Sequence, residues 1–261
     1  MEIRDLLMLC IEKKASDLHI TEKEPPILRI DGKLMRTNFS VLTREDSKKL
    51  IYAVLTNPQK EAFERERELD FSLALPGMDR FRVNVHLQRG ATEAAFRRVP
   101  LEIPSIEQLG LPPIVQSLAR KPNGLILVTG PTGVGKTTTL AALIDMINNE
   151  RESLIVCVED PIEFIHSNKK SVIKQREVYS DTLSFAEALK HTLRQDPNVI
   201  VVGEMRDLET ISTTLTAAET GHLVLATLHT PDAPQTIERI IDVFPPYQQQ
   251  QVKLQLADCL Q

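Results

Sequence analysis

One run of residues, Gly130-Pro-Thr-Gly-Val-Gly-Lys-Thr137, constrains this chain more than any other. It fills every fixed position of the G-x4-G-K-[ST] phosphate-binding loop. The apolar run Leu125–Thr129 before it reads as a buried strand, and Leu140, Ile144 and Ile147 after it fall at helical spacing. Strand, glycine loop and helix is the arrangement a phosphate cradle needs. Glycines let backbone N–H groups turn toward the anion, and the helix N-terminus adds partial positive charge. Within the loop, Gly130, Pro131, Thr132, Gly133, Val134 and Gly135 wrap the phosphates. Lys136 reaches the terminal phosphates and the Thr137 hydroxyl ligates Mg²⁺. A chain with this segment folds around a largely parallel α/β sheet and binds a nucleotide.

The remaining sequence bounds the setting. A chain of 261 residues suffices for one large domain or two medium ones. Its 31 basic and 36 acidic residues leave a net charge of −5, a poor electrostatic footprint for nucleic acid. No apolar run approaches the length of a membrane span. Met1–Asp5 lacks signal-peptide architecture, and Cys10, Cys157 and Cys259 form neither a disulfide framework nor a zinc site. These features predict a reduced, cytoplasmic protein with Cys157 in the core.

Two halves are legible. Residues 1–98 mix helix and strand. Ile3, Leu6, Leu7 and Cys10 mark a first amphipathic helix. Strands are expected at Asp17–Thr21 and Pro26–Ile30, with a hairpin turn at Asp31-Gly32. Thr43 with Asp46 opens a helix expected to run through Leu50, Val54 and Leu55. Phe81, Val83 and Val85 alternate with polar residues in a half-buried strand, and Ala94–Val99 is its expected antiparallel neighbour. Residues 99–113, with four prolines, read as a semi-rigid linker carrying a short helix. Residues 114–261 alternate strand and helix, with nearly continuous apolar strands at 125–129, 154–158, 199–203 and 223–228. Such strands are covered on both faces and therefore mostly parallel. Ser184 and Asp232 are expected helix starts. Val252, Leu256 and Leu260 form a helical stripe reaching Gln261 without a stop signal, which is read as a chain that is cut there.

The C-terminal edge of a parallel sheet is where ligands bind, and three clusters fall there. Glu159, Asp160 and Glu163 follow the strand 154–158, and hydrolysis needs a carboxylate to activate water. Pro161 stops the strand and can throw Glu163 back over the pocket. Val199–Gly203 followed by Glu204 has the form of a Walker B strand, whose acid holds Mg²⁺ directly or through water. His222 and His229 bracket the strand 223–228 on what is expected to be the nucleotide edge, His229 being placed as a γ-phosphate sensor. His19 and His86 lie in the N-terminal half, and His166 and His191 read as surface positions.

Together, Ala15–His19, Gly130–Thr138, Val158–His166, Gln175-Arg-Glu177, Gly203–Asp207, Ala217–His222 and Thr227–Thr230 resemble the secretion-type ATPase superfamily, and within it the type IV pilus retraction ATPases. The resemblance covers essentially the whole chain. It implies an α/β fold: a RecA-like P-loop ATPase domain with a mostly parallel sheet, preceded by a smaller α+β PAS-like domain. It also implies a homo-hexameric ring with ATP in a cleft between the domains. Glu159, Asp160 and Glu163 match the family's "Asp box", with Glu163 as general base. Glu204 matches the Walker B acid, and His222 and His229 the "His box". Thr138 closes the matched loop. Arg82 and Arg97 match the N-domain arginines that close on the phosphates, with Arg80 and Arg98 as alternatives. The implied partner is an inner-membrane pilus platform protein, met at the cytoplasmic face of the pilus base without membrane insertion.

Two departures stand out. Val134 replaces a Ser common between the loop glycines, and the family's C-terminal helical subdomain lies beyond Gln261. Assembly ATPases carry a longer N-terminal extension and a four-cysteine zinc element, which this sequence lacks. An accessory retraction paralogue, a RecA-like nucleic-acid motor and a nucleotide-dependent scaffold with little turnover are the other readings. The acidic balance and the absence of Trp weigh against the nucleic-acid motor.

Overall fold

The computed structural model describes residues 2–99 and 102–261. Met1, and Pro100 and Leu101 at the start of the expected linker, lie outside the described residues. The chain divides into two compact units, Met1–Leu101 and Glu102–Gln261.

The first unit contains α1 (Ile3–Glu12), β1 (Asp17–Ile20), β2 (Ile27–Ile30), β3 (Lys33–Arg36), α2 (Arg44–Tyr52), α3 (Asn57–Glu66), β4 (Glu68–Ala74), β5 (Arg80–Gln88) and β6 (Ala91–Val99). The strands form one antiparallel sheet in the order β3-β2-β1-β6-β5-β4. Alternation in β5 buries Phe81, Val83 and Val85 against Leu6, Leu7, Leu18, Ile51 and Phe96. Each such fully buried side chain contributes about 1.5–3 kcal/mol relative to exposure. At the head of α2 the Thr43 hydroxyl accepts from the Asp46 N–H, and the Asp46 carboxylate accepts from the Thr43 N–H.

The helix expected to reach Leu55 ends at Tyr52, and a separate helix α3 begins beyond it. A second capping box, Thr56 with Gln59, and a proline in the first turn start that new helix. Leu55 still enters the core, from the turn between the two helices. Strand β4 was also not anticipated, although Leu69, Phe71 and Leu73 alternate with polar residues along it.

The second unit contains α4 (Ile114–Ala119), β7 (Gly124–Thr129), α5 (Lys136–Glu150), β8 (Leu154–Glu159), β9 (Val172–Glu177), α6 (Phe185–Thr192), β10 (Val199–Val202), α7 (Leu208–Glu219), β11 (Leu223–Leu228), α8 (Ala233–Asp242) and α9 (Pro246–Cys259). The sheet order is β7-β11-β10-β8-β9, and every pair is parallel. Ile155, Cys157, Val199, Val201, Leu223 and Leu225 join the core with α5, while Val158, Ile200, Val202, Val224 and Ala226 join the core with α6, α7, α8 and α9. Successive residues of each strand feed opposite cores, which is why these strands read as unbroken apolar runs. Ile106, from the stretch expected to be linker, is buried in the first of these two cores.

Edge strand β9 was missed, because Lys174, Gln175 and Arg176 break the apolar signal. In α9 the buried stripe is Val252, Leu256 and Cys259. Leu260 leaves the expected stripe and forms an isolated bridge with Leu125. All three cysteines are buried free thiols. Among the described residues no helix is long and apolar enough to cross a membrane.

Candidate nucleotide site

Parallel pairing sends the C-terminal ends of β7, β8, β10 and β11 to one edge of the sheet. The phosphate loop leaves β7 there. Its glycines adopt φ of 145° (Gly130), 82° (Gly133) and 99° (Gly135), values side-chain-bearing residues rarely take. The loop ends at the N-terminus of α5, whose first residue is Lys136 and whose first turn carries Thr137 and Thr138. Lys136 is 8% exposed. Its Nζ donates to the Gly130 and Pro131 carbonyls at 2.8 and 3.0 Å, so the loop itself holds the ammonium in place.

One expected side chain, His229, stands beside that lysine, and a second, Glu204, stands beside His229. His229 follows the last residue of β11, and its Nδ1 stands 3.4 Å from Lys136 Nζ and 3.3 Å from Thr132 Oγ1. Its Nε2 lies 3.4 Å from Glu204 Oε1. Gly203 follows the last residue of β10 and precedes Glu204. A Cβ there would lie 3.1 Å from the Val158 carbonyl and 3.2 Å from Glu159 Cα, so a larger residue would push the two strand ends apart by a few tenths of an ångström. The outcome is a continuous line of polar groups from the phosphate loop to the Walker B position.

Arg206 belongs to this site and had been given no role. Its Nη2 lies 2.6 Å from Glu204 Oε2. The hydrogen bond to Glu204, then the charges of Glu204 and Asp160, push its pKa above the usual arginine value. The available signal was its place in the quoted Gly203–Asp207 motif. Asp207 caps α7 through the Thr210 N–H at 2.8 Å and so holds the segment that carries Glu204 and Arg206.

The acidic loop leaves β8 on the same edge. Glu159 is the last residue of the strand, Asp160 is exposed, and a cis Asp160–Pro161 bond follows. Glu163 is half-buried between Ile162 and Phe164, which are 6% and 8% exposed.

Two histidine expectations need correction. Strand β11 separates His222 from His229, because six extended residues span roughly 20 Å. His222 sits at the opposite edge of the sheet, where its Nδ1 lies 2.9 Å from the Ala217 carbonyl. It therefore does not meet a phosphate held by the loop of its own chain. Nor is His166 a surface group: its Nδ1 is buried without a hydrogen-bond partner. Burial pushes its pKa down from 6.5 to about 4. As pH falls below about 6.5 the unfolded chain takes up this proton, while the folded chain waits until about 4. Stability is therefore lost between those values. In equilibrium urea unfolding, His166→Asn is expected to lose less stability than the parent between about pH 7 and pH 4.5. Equal losses would show that the imidazole is not the group responsible.

In the first unit, Arg82 and Arg97 are direct cross-strand partners on the exposed face of the sheet. The registers place Arg29, Asp17, Arg97, Arg82 and Ser72 in one row across five strands. Arg97 Nε donates to Asp17 Oδ1 at 3.0 Å. Burial raises the Asp17 carboxyl, but the Ser16 hydroxyl and the Arg97 guanidinium outweigh it and hold the pKa below the usual range. Arg98 instead faces the core side and pairs with Asp79.

The sequence matches the family described as "Type II/IV secretion system protein" over residues 2–256. It is 48% identical, over all 261 residues and 76% of the relative's length, to the type IV pilus retraction ATPase PilT of Pseudomonas aeruginosa. It is 47% identical over 235 residues to a twitching motility protein of Neisseria gonorrhoeae, covering 90% of this chain and 63% of that protein. A crystal structure of the pilus retraction motor PilT with bound ADP superposes with a TM-score of 0.97 at 50% identity, over the whole of this chain and 76% of the other. These likenesses agree with the phosphate-loop sequence, and the chain belongs to the type II/IV secretion system protein family, within its branch of PilT-type pilus retraction ATPases.

Proposed function

We propose that this chain is the ATP-hydrolysing subunit of a homo-hexameric ring that powers type IV pilus retraction. The observation that carries the catalytic part is the convergence of Lys136, His229 and Glu204, drawn from three different strand ends. Likeness to PilT over the full chain carries the retraction part. In this reading, residues Gly130–Thr138 hold the triphosphate and Lys136 supplies its charge to the terminal phosphates. Thr137 and Glu204 would hold Mg²⁺ through oxygen donors, the type it prefers, and when bound the ion would supply positive charge for phosphoryl transfer.

Glu163 activates the attacking water, with Glu159 and Asp160 shaping the same loop. His229 reads the γ-phosphate from beside Lys136. Arg82 and Arg97 are the family-matched arginines of the antiparallel unit, which we read as the PAS-like domain of residues 1–98, with 99–113 as linker and 114–261 as the ATPase domain. The ring works on the cytoplasmic face of the inner membrane, against a platform protein at the pilus base, and needs no nucleic acid.

Light scattering on the purified chain, with and without an ATP analogue and Mg²⁺, tests the assembly, and phosphate release tests the chemistry. The expected result is a six-chain mass with Mg²⁺-dependent turnover. A strict monomer under every condition would rule out the ring.

A further inference from the structure

The strand that the apolar pattern failed to reveal, β9, carries the Gln175-Arg-Glu177 motif, to which the mechanism above gives no role. Its side chains are engaged with the loop that holds Glu163. Gln175 Nε2 donates to Glu159 Oε1 at 2.9 Å and to the Phe164 carbonyl at 2.7 Å, while Gln175 Oε1 accepts from the His166 N–H at 3.0 Å. Two acceptors on one side of the amide and a donor on the other define its orientation. Two residues along β9, Glu177 Oε2 accepts from the Ile162 N–H at 3.0 Å. Glu177 is 7% exposed and is steadied by the Ser180 hydroxyl at 3.3 Å.

Backbone groups of Ile162, Phe164 and His166 are thus tied to two side chains of one strand, on both sides of Glu163. Parallel register fixes where those side chains stand, since Gln175 pairs with Cys157 and Glu177 with Glu159. The loop between β8 and β9 has no regular structure, so side chains do here what a sheet ladder does elsewhere.

We infer that Gln175 and Glu177 are positioning residues that hold the Glu163 loop in its working geometry. The inference rests on the reading of Glu163 as the water-activating base. A base displaced by about an ångström loses on the order of a hundredfold in rate, while nucleotide binding, which the phosphate loop supplies, is untouched.

The test uses the whole chain and reads turnover separately from ADP affinity. Gln175→Ala is expected to lower kcat ten- to a hundredfold, with the KM for ATP and the ADP Kd within threefold of the parent. Glu177→Ala is expected to behave alike, and Glu177→Gln, which keeps an acceptor for the Ile162 N–H, to recover at least tenfold over Glu177→Ala. A kcat within twofold of the parent in Gln175→Ala, or a joint loss of turnover and ADP binding, would overturn the inference. So would a Glu177→Gln variant no better than Glu177→Ala.

A double-mutant cycle separates this from the reading beneath it. If Gln175 acts through Glu163, adding Gln175→Ala to Glu163→Gln costs no further single-turnover rate. A full additional loss shows that Gln175 acts elsewhere, which overturns the inference and leaves Glu163 in place. Parental turnover in Glu163→Gln alone removes the base assignment itself.

Discussion

Glu163→Gln is expected to bind ATP and ADP as the parent does and to turn over ATP on the order of 10²–10⁴-fold more slowly. Glutamine preserves the volume of the side chain and one oxygen acceptor, so the packing of Ile162 and Phe164 on either side should survive. It removes the one property at issue, the capacity to take a proton from the attacking water. Binding is expected to be spared because the phosphate loop and α5 lie on β7, a different strand end from the β8 loop that bears Glu163. Calorimetric nucleotide affinity alongside steady-state phosphate release checks both halves. Unimpaired turnover would remove Glu163 from the role of base.

Lys136→Ala is expected to abolish turnover and to weaken nucleotide binding by roughly 30–100-fold or more, the cost of about 2–3 kcal/mol for a lost charge-assisted contact. The ammonium is nearly buried, and loop carbonyls hold it within the phosphate-binding turn. Ordering cost is therefore small when phosphates arrive. Alanine keeps a good helix former at the first position of α5, so the fold should persist, and thermal unfolding within a few degrees of the parent serves as the control. Nucleotide affinity unchanged in Lys136→Ala would mean that the backbone N–H groups and the helix terminus suffice without the lysine.

Much of this architecture was legible before any coordinates. The strands of the second unit announced themselves because both of their faces are buried, leaving no polar residue to interrupt Val199–Val202 or Leu223–Ala226. The start of α2 was legible from local chemistry, a cap whose partners lie three residues apart. What escaped notice was structure whose reasons are not local. Helix α2 stops short of Leu55 because a second cap competes for the chain, although Leu55 remains apolar and buried. Strand β9 has a polar sequence because its Gln175 and Glu177 are spent on a neighbouring loop. His166 resembles a surface residue until the loop that carries it folds and buries its Nδ1.

By itself the sequence determined the phosphate loop and the parallel sheet behind it, because each depends on residue types at short, fixed spacings. Only the tertiary structure decided which of those residues meet. Parallel strands present every C-terminal end on one edge, which brings His229 to Lys136 and Glu204 and sends His222 about 20 Å away to the other edge. The same register sets Gln175 and Glu177 beside the loop of Glu163. Spacing along a chain encodes what a segment can become. Which segments become neighbours is settled when their buried faces find each other, and the reach of a side chain has meaning only after that.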